Sequence, residues 1–479
     1  MIWNLSLLIL LPLSELLVVP LAKKAAKLHK AVLLSIVVVG IFLSISLPIS
    51  AQIYLINFGF VELKFMCDIY SYFFGILVTV IWFLTNLYAH SYSRIVINRN
   101  RLISFFRRLS LTVFAVLGGA YAANLWTVFF FYILLILFTS TLILQRPSKS
   151  SLKAQRIYLA THLGTSILLF LPAIILLQYL GGKTDFIVGD NNTLLENRHL
   201  ASLLLFLFIF GISYNCIFPF GRWIVRSTVA PNPVNALLHS VAAVKSGSIA
   251  IIKIAVYIFG LDYLKELTSD FLSGGWIFYI CGFTATYAAY QAFKTTDIKK
   301  RFAYSTISQL SYIVSSVMVA VPIAVIGAIL HIISHSICKV ILFYIAGIFS
   351  SVYKTRDTRQ IAKIAPNVKF WIVCLAFAGA SIIGFPFLPG SYGKDYMIIS
   401  ELQTHHYAAT IFLIIGSFIN VLYIYPIVKA AFFTKNSAEI VVKPIPFTMR
   451  LAIIIATAMA IVMTFYVSDL VSFLKYYIR

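Results

Sequence analysis

Residues 331–339 read HIISHSICK, and they stand inside an apolar run that begins near Ile323 and is long enough to cross a bilayer. His331, His335 and Lys339 recur at four-residue spacing, so on a helix they climb one face with a drift of about 40° per step. A run of this length reads as a transmembrane helix. Charge at that depth is costly, so such residues line a hydrated path or meet a partner. Imidazole titrates near neutrality, and neighbours on one face can pass a proton through ordered water. The stretch therefore points to a helical membrane protein with polar groups held inside it, and to ion or proton movement.

The rest of the chain has the same character. Its 479 residues are 61% hydrophobic and 11% charged, with a mean hydropathy of +0.94, far outside the soluble range. Apolar runs of about 18 to 25 residues, enough for roughly 30 Å of hydrocarbon, begin near Trp3, Ala31, Phe65, Leu109, Leu125, Tyr158, Leu200, Val234, Gly274, Phe302, Ile323, Phe370, Ala408 and Arg450. They predict an all-α polytopic membrane protein of about 14 helices, the fourth and fifth separated by a tight turn near Asn124.

A net charge of +23 suggests nucleic acid, but the basic residues fall in alternate loops. One set holds Lys23, Lys24, Lys27 and Lys30; Arg94, Arg99, Arg101, Arg107 and Arg108; Lys149, Lys153 and Arg156; and Arg222 and Arg226. It continues with Lys294, Lys299, Lys300 and Arg301; Lys354, Arg356, Arg359, Lys363 and Lys369; and Lys435, Lys443 and Arg450. The other set holds chiefly Lys64, Lys183, Arg198 and Lys265 beside Asp185, Asp190, Glu196, Asp262, Glu266 and Asp270. Positive-inside counting places both chain ends on the outer side. The first apolar run lacks a basic leader and reads as a retained helix. The sizeable loops, about 181–199, 353–369 and 434–447, are too small for a soluble catalytic domain, and no phosphate loop or dinucleotide fingerprint occurs. The five cysteines lie singly on apolar segments, which argues against metal, iron–sulfur and disulfide frameworks. No metal and no cofactor is expected.

Two spans carry interruptions. Gly-Phe-Pro-Phe-Leu-Pro-Gly at 384–390 puts two prolines and two glycines at mid-span directly before Lys394, and Pro219 interrupts the seventh. Proline removes a backbone donor and clashes with the preceding turn, so broken helices are expected, and in transporters such breaks mark the translocation site. Lys245 lies in the eighth span, six residues after His239, with Ser240, Ser246 and Ser248 as polar neighbours, while Lys253 nearer the helix end reads as a snorkelling side chain. Asp297 suits the start of the tenth span, and Ser305, Thr306, Ser308 and Gln309 beyond it can hold water beside the eleventh-span stripe.

Five segments, ANLWTVFFFY (123–132), PNPVNALLHSVAAVKSG (231–247), TDIKKRFAYSTISQL (296–310), HIISHSICK and GFPFLPGSYGKDYM (384–397), together resemble the antiporter-like membrane subunits shared by respiratory complex I, membrane-bound hydrogenases and Mrp-type cation/proton antiporters. An unrelated lipid or sugar transporter explains the hydrophobicity but not these segments. The resemblance implies two inverted five-helix repeats, helices 4–8 and 9–13, with helices 7 and 12 broken, each contributing a half-channel. The corresponding division is 1–107, 108–260, 261–435 and 436–479. By motif, Lys245 matches the eighth-helix lysine, His331, His335 and Lys339 the eleventh-helix relay, and Lys394 the lysine of the broken twelfth helix, with His239 as a further candidate. The long lateral helix of the largest complex I antiporter-like subunit has no counterpart in the sequence. Partners implied are other membrane subunits of a respiratory or Mrp-type complex, in a bacterial inner membrane, with H⁺ or Na⁺ as the transported ion. The chain carries no active site of its own, so an NADH-quinone oxidoreductase activity would belong to the assembly.

Two positions depart from the pattern. Ile133 stands where the family has a fifth-helix glutamate, and Tyr214, five residues before Pro219 and nine before Trp223, stands where it has a seventh-helix lysine. No acid occurs between Asp68 and Asp185 to replace the first. Loss of both avoids a stranded charge. The expectation is an N-terminal half-channel reduced to scaffold and a retained C-terminal one, the alternative being a non-conducting structural subunit.

Overall fold

A computed structural model describes residues 2–57, 61–189, 197–433 and 444–478. We number its long helices α1 (Ile2–Val18), α2 (Ala26–Ser46), α3 (Ile69–Val96), α4 (Leu102–Ala120) and α5 (Leu125–Ile143), then α6 (Lys149–Tyr179), α7 (Arg198–Gly211) and α8 (Asn232–Phe259). They continue as α9 (Trp276–Lys294), α10 (Ile298–Met318), α11 (Pro322–Ser351), α12 (Lys369–Ile383), α13 (Pro389–Gln403), α14 (Tyr407–Phe433) and α15 (Phe447–Tyr477). Among the described residues, ten helices are long and apolar enough to cross a membrane, α2 to α6, α8, α11, α12 with its lead-in, α14 and α15. The segments expected to span near Gly274 and Phe302 are helical, as α9 and α10, but are not among these ten. Those near Leu200 and Phe370 are interrupted, as the prolines predict.

Local chemistry sets several boundaries. Asn124 caps α5 by accepting from Thr127 N–H at 2.8 Å, and Asp297 caps α10 by accepting from Lys299 and Lys300 N–H at 2.9 and 3.2 Å. In the seventh span the helix stops at Gly211, passes through a 3₁₀ turn at Ser213–Asn215 and a left-handed Cys216, and resumes only as Arg222–Arg226 beyond Pro219. In the twelfth, α12 ends on Gly384 at φ 94°, a conformation glycine adopts without a Cβ penalty, and α13 restarts at Pro389.

Three expectations need correction. The segment before α3 is not helix from Phe65: Gln52–Asn57 (β1) and Glu62–Met66 (β2) pair as an antiparallel hairpin, so the fold is helical with one small sheet rather than purely α. The polar stretch 353–369 holds the helix Thr358–Ile364, capped by Asp357. Lys253 does not snorkel; it is buried against Asp68. Asp190, Glu196, Lys435 and Lys443 lie outside the described residues, within 190–196 and 434–443.

α11 is the axis. In its most apolar window 94% of residues are buried, against 33% for α14 and α15, whose outer faces are left for lipid. It packs on α3 through Tyr88 and Tyr344, stacked at 4.0 Å, with the Tyr88 hydroxyl donating to Tyr344 C=O at 2.8 Å.

Candidate functional site

The buried basic residues collect along α11 and the elements that touch it. His331, His335 and Lys339 are all buried, and the two imidazoles face each other with ring centroids 5.8 Å apart. Among the described residues, neither nitrogen of either ring has a hydrogen-bond partner. Lys245 from α8 is likewise fully buried, its ammonium without a partner among the described residues: Ser246 bonds to Ala242 C=O, Ser248 to Asn215 and Val244 C=O, so the expected serine neighbours do not serve it. His335 lies within electrostatic reach of Lys245, Lys339, His331 and His239, and His331 within reach of Lys394 and Lys245.

Lys339 and Lys394 are held by neutral groups. Lys339 Nζ donates to Phe302 C=O and Ser305 Oγ, both at 2.9 Å. Lys394 Nζ donates to Ile383 C=O at 2.9 Å, a carbonyl freed by the end of α12, and to Ser417 Oγ at 2.7 Å, and it stands 5.5 Å over the Tyr312 ring. The broken twelfth span thus supplies a ligand for its own lysine, which is what unwinding at a buried cation achieves. Gly393 lets α13 meet α11: a Cβ there would sit 2.8 Å from His331 N.

The α10 residues divide. Ser305 holds Lys339, and Thr306 Oγ1 lies 3.2 Å from His239 Nδ1, whose ring stacks on Phe343 at 4.3 Å. Ser308 donates to Tyr312 instead, and among the described residues both polar atoms of buried Gln309 lack partners, as does His239 Nε2. Unpaired buried polar atoms on several elements around one helix define a polar interior suited to water.

Sequence reasoning missed Tyr312, Ser417 and Glu401. Glu401 is buried and accepts from Thr410 at 3.0 Å. It follows Lys394 by seven residues, two turns on one face, and that spacing was legible. Ser417 comes from another helix, and nothing local marks it.

The other half is built differently. Tyr214 is fully buried, its hydroxyl 2.7 Å from that of Tyr158 and its ring 4.4 Å from Tyr132 and 4.2 Å from His162. His162 Nδ1 lies 2.7 Å from Ser213 Oγ, and Trp223 Nε1 donates to Ser213 C=O at 3.3 Å. Ile133 is half-buried, packed against the core. Aromatic rings and paired tyrosine hydroxyls dominate this region, although His162 Nε2 and Thr139 Oγ1 have no partner among the described residues.

Residues 122–420 match the family described as the NADH:quinone oxidoreductase/Mrp antiporter transmembrane family. A probable K(+)/H(+) antiporter subunit of Rhizobium meliloti is 26% identical over 389 residues, 79% of this chain and 37% of that protein. The NADH-ubiquinone oxidoreductase chain 5 of Paracentrotus lividus is 31% identical over 247 residues, 50% of this chain and 36% of that one. This chain therefore spans little more than a third of either relative. One chain of the membrane-bound sulfane sulfur reductase, an archaeal respiratory membrane complex, shares the fold with a TM-score of 0.84 at 17% identity, covering 98% of this chain and 96% of that one. With more than half of its length matched, the chain belongs to the NADH:quinone oxidoreductase/Mrp antiporter transmembrane family.

Proposed function

We propose that this chain is a proton- or Na⁺-translocating, antiporter-like subunit of a multisubunit membrane complex, either NADH-quinone oxidoreductase-like or Mrp-like, in which the C-terminal half conducts and the N-terminal half is scaffold. The supporting observation is the contrast between the halves. Lys245, His331 and His335 are buried without fixed partners and Lys339 and Lys394 rest on neutral oxygens, so none must break an ion pair to give up or accept a proton. Tyr214 is instead locked among rings.

The chain crosses fourteen times in this reading, with helices 4–8 and 9–13 as inverted repeats and both ends on the outer side of a bacterial inner membrane. The parts are 1–107, 108–260 and 261–435, with 436–479 as the last helix. Lys245 with His239 forms the centre, His331, His335 and Lys339 the relay, and Lys394 the outer station, with Ser305, Thr306, Ser308 and Gln309 ordering water. Other membrane subunits bind alongside, and any redox activity resides in them.

A second reading, a non-conducting structural subunit, is favoured by Ile133 and the Tyr214 cluster. Ion flux in proteoliposomes of the complex separates the two: Lys394→Ala and Lys339→Ala each reduce it at least tenfold if the C-terminal half conducts, and unchanged flux in both would falsify conduction.

A further inference from the structure

At the break of the seventh span a cavity of about 480 Å³ opens beside the short helix Arg222–Arg226. That volume lies within the range of about 300–1,000 Å³ of small-molecule sites. Arg222, Arg226 and Lys300 all line it, with Tyr287, Tyr304 and Phe218. The three cations are exposed, and among the described residues none pairs with an acid. Asp297, the acid nearest in sequence, is turned to the N–H groups that begin α10 and does not line the cavity.

Three like charges converging without a carboxylate call for an anion. The walls say what carries it. Phe218, Phe283 and Tyr287 are 52, 50 and 48% exposed and form a ladder, with ring centroids 5.4 and 5.9 Å apart, on the outer faces of the break and α9. A free anion gains nothing from such a surface; acyl chains do. The site also lies on the edge that carries the basic loops, where basic pockets between helices take anionic head groups.

We infer that this cavity binds the phosphodiester head group of an anionic phospholipid, its acyl chains lying along Phe218, Phe283 and Tyr287. Native mass spectrometry of the purified full chain tests it with phosphatidylglycerol, phosphatidylcholine and inorganic phosphate as probes. The expected result is a phosphatidylglycerol adduct at least tenfold more abundant than the phosphatidylcholine one, not displaced by phosphate. It should be lost in Arg222→Gln/Arg226→Gln and retained in Lys149→Gln/Lys153→Gln, which removes two exposed cations elsewhere on the same edge. Equal adducts with phosphatidylcholine, full displacement by phosphate, or retention in the arginine variant overturns the proposal. Photoactivatable phosphatidylglycerol on the unaltered protein gives a check free of folding effects: labelling should map to Phe218, Phe283 or Tyr287, and labelling confined to other helices overturns it.

Discussion

Lys253 Nζ lies 3.1 Å from Asp68 Oδ2, with both side chains buried, so α8 is pinned by an ion pair to the start of α3. The ammonium also donates to Ser71 Oγ and Ala122 C=O at 2.8 Å and to Ala120 C=O at 3.3 Å, and Asp68 accepts from Ser71 N–H at 2.6 Å. The pair thereby ties the hairpin, the α4–α5 turn and the eighth helix into one joint.

Removing one partner strands the other in low dielectric, at a cost of about 3–5 kcal/mol. Asp68→Ala should lower the thermal midpoint in detergent sharply, and Asp68→Ala with Lys253→Met should recover much of the loss. A double variant no better than the single would show that the cap, not the charge, carries the effect.

Gly393→Ala places a methyl 2.8 Å from the α11 backbone at His331. Overpacking of this kind costs about 1–3 kcal/mol, and both melting temperature and ion flux should fall. Gly164→Ala, where a Cβ meets nothing within 4 Å, should leave both unchanged or raise the melting temperature.

Tyr214→Phe deletes the 2.7 Å hydroxyl contact with Tyr158. Loss of one buried hydrogen bond predicts about 1 kcal/mol of destabilisation. If the N-terminal half is scaffold, flux stays at the unaltered level; a severalfold drop would place Tyr214 in the path.

Lys64 on β2 pairs with Glu62 and, at 2.8 Å, with Asp185. Partial burial pulls its pKa down, but the hydrogen bonds and charges of Asp185 and Glu62 outweigh it and leave the value above the ordinary 10.5. A raised ammonium pKa stabilises the fold fully below the unfolded value and ceases to do so as pH climbs through the folded one. Asp185→Asn should therefore melt lower than the unaltered protein at pH 8, with the gap closing above about pH 10.5. A gap constant with pH would assign it to packing.

The breaks at Pro219 and at 384–390, the Asn124 turn and the Asp297 cap were legible because each depends on neighbours a few residues away. So was the α11 stripe, since 3.6 residues per turn alone puts His331, His335 and Lys339 on one side. Glycine and proline act on their own backbone, and hydropathy acts on its own span.

What each polar group meets is a matter between helices, and only the tertiary structure decided it. Lys253 looked like a residue near a helix end until packing brought Asp68, 185 positions earlier, to 3.1 Å. Lys245 looked served by its serines, yet the Ser246 and Ser248 hydroxyls satisfy carbonyls of their own helix and Asn215, and among the described residues neither the Ser240 hydroxyl nor the ammonium has a partner. Composition and period determined that charge lies within the membrane and on which helices. The crossing of those helices determined which charges are neutralised and which are left without a partner among the described residues, because an ion pair or hydrogen bond forms only between atoms that packing brings within about 3 Å.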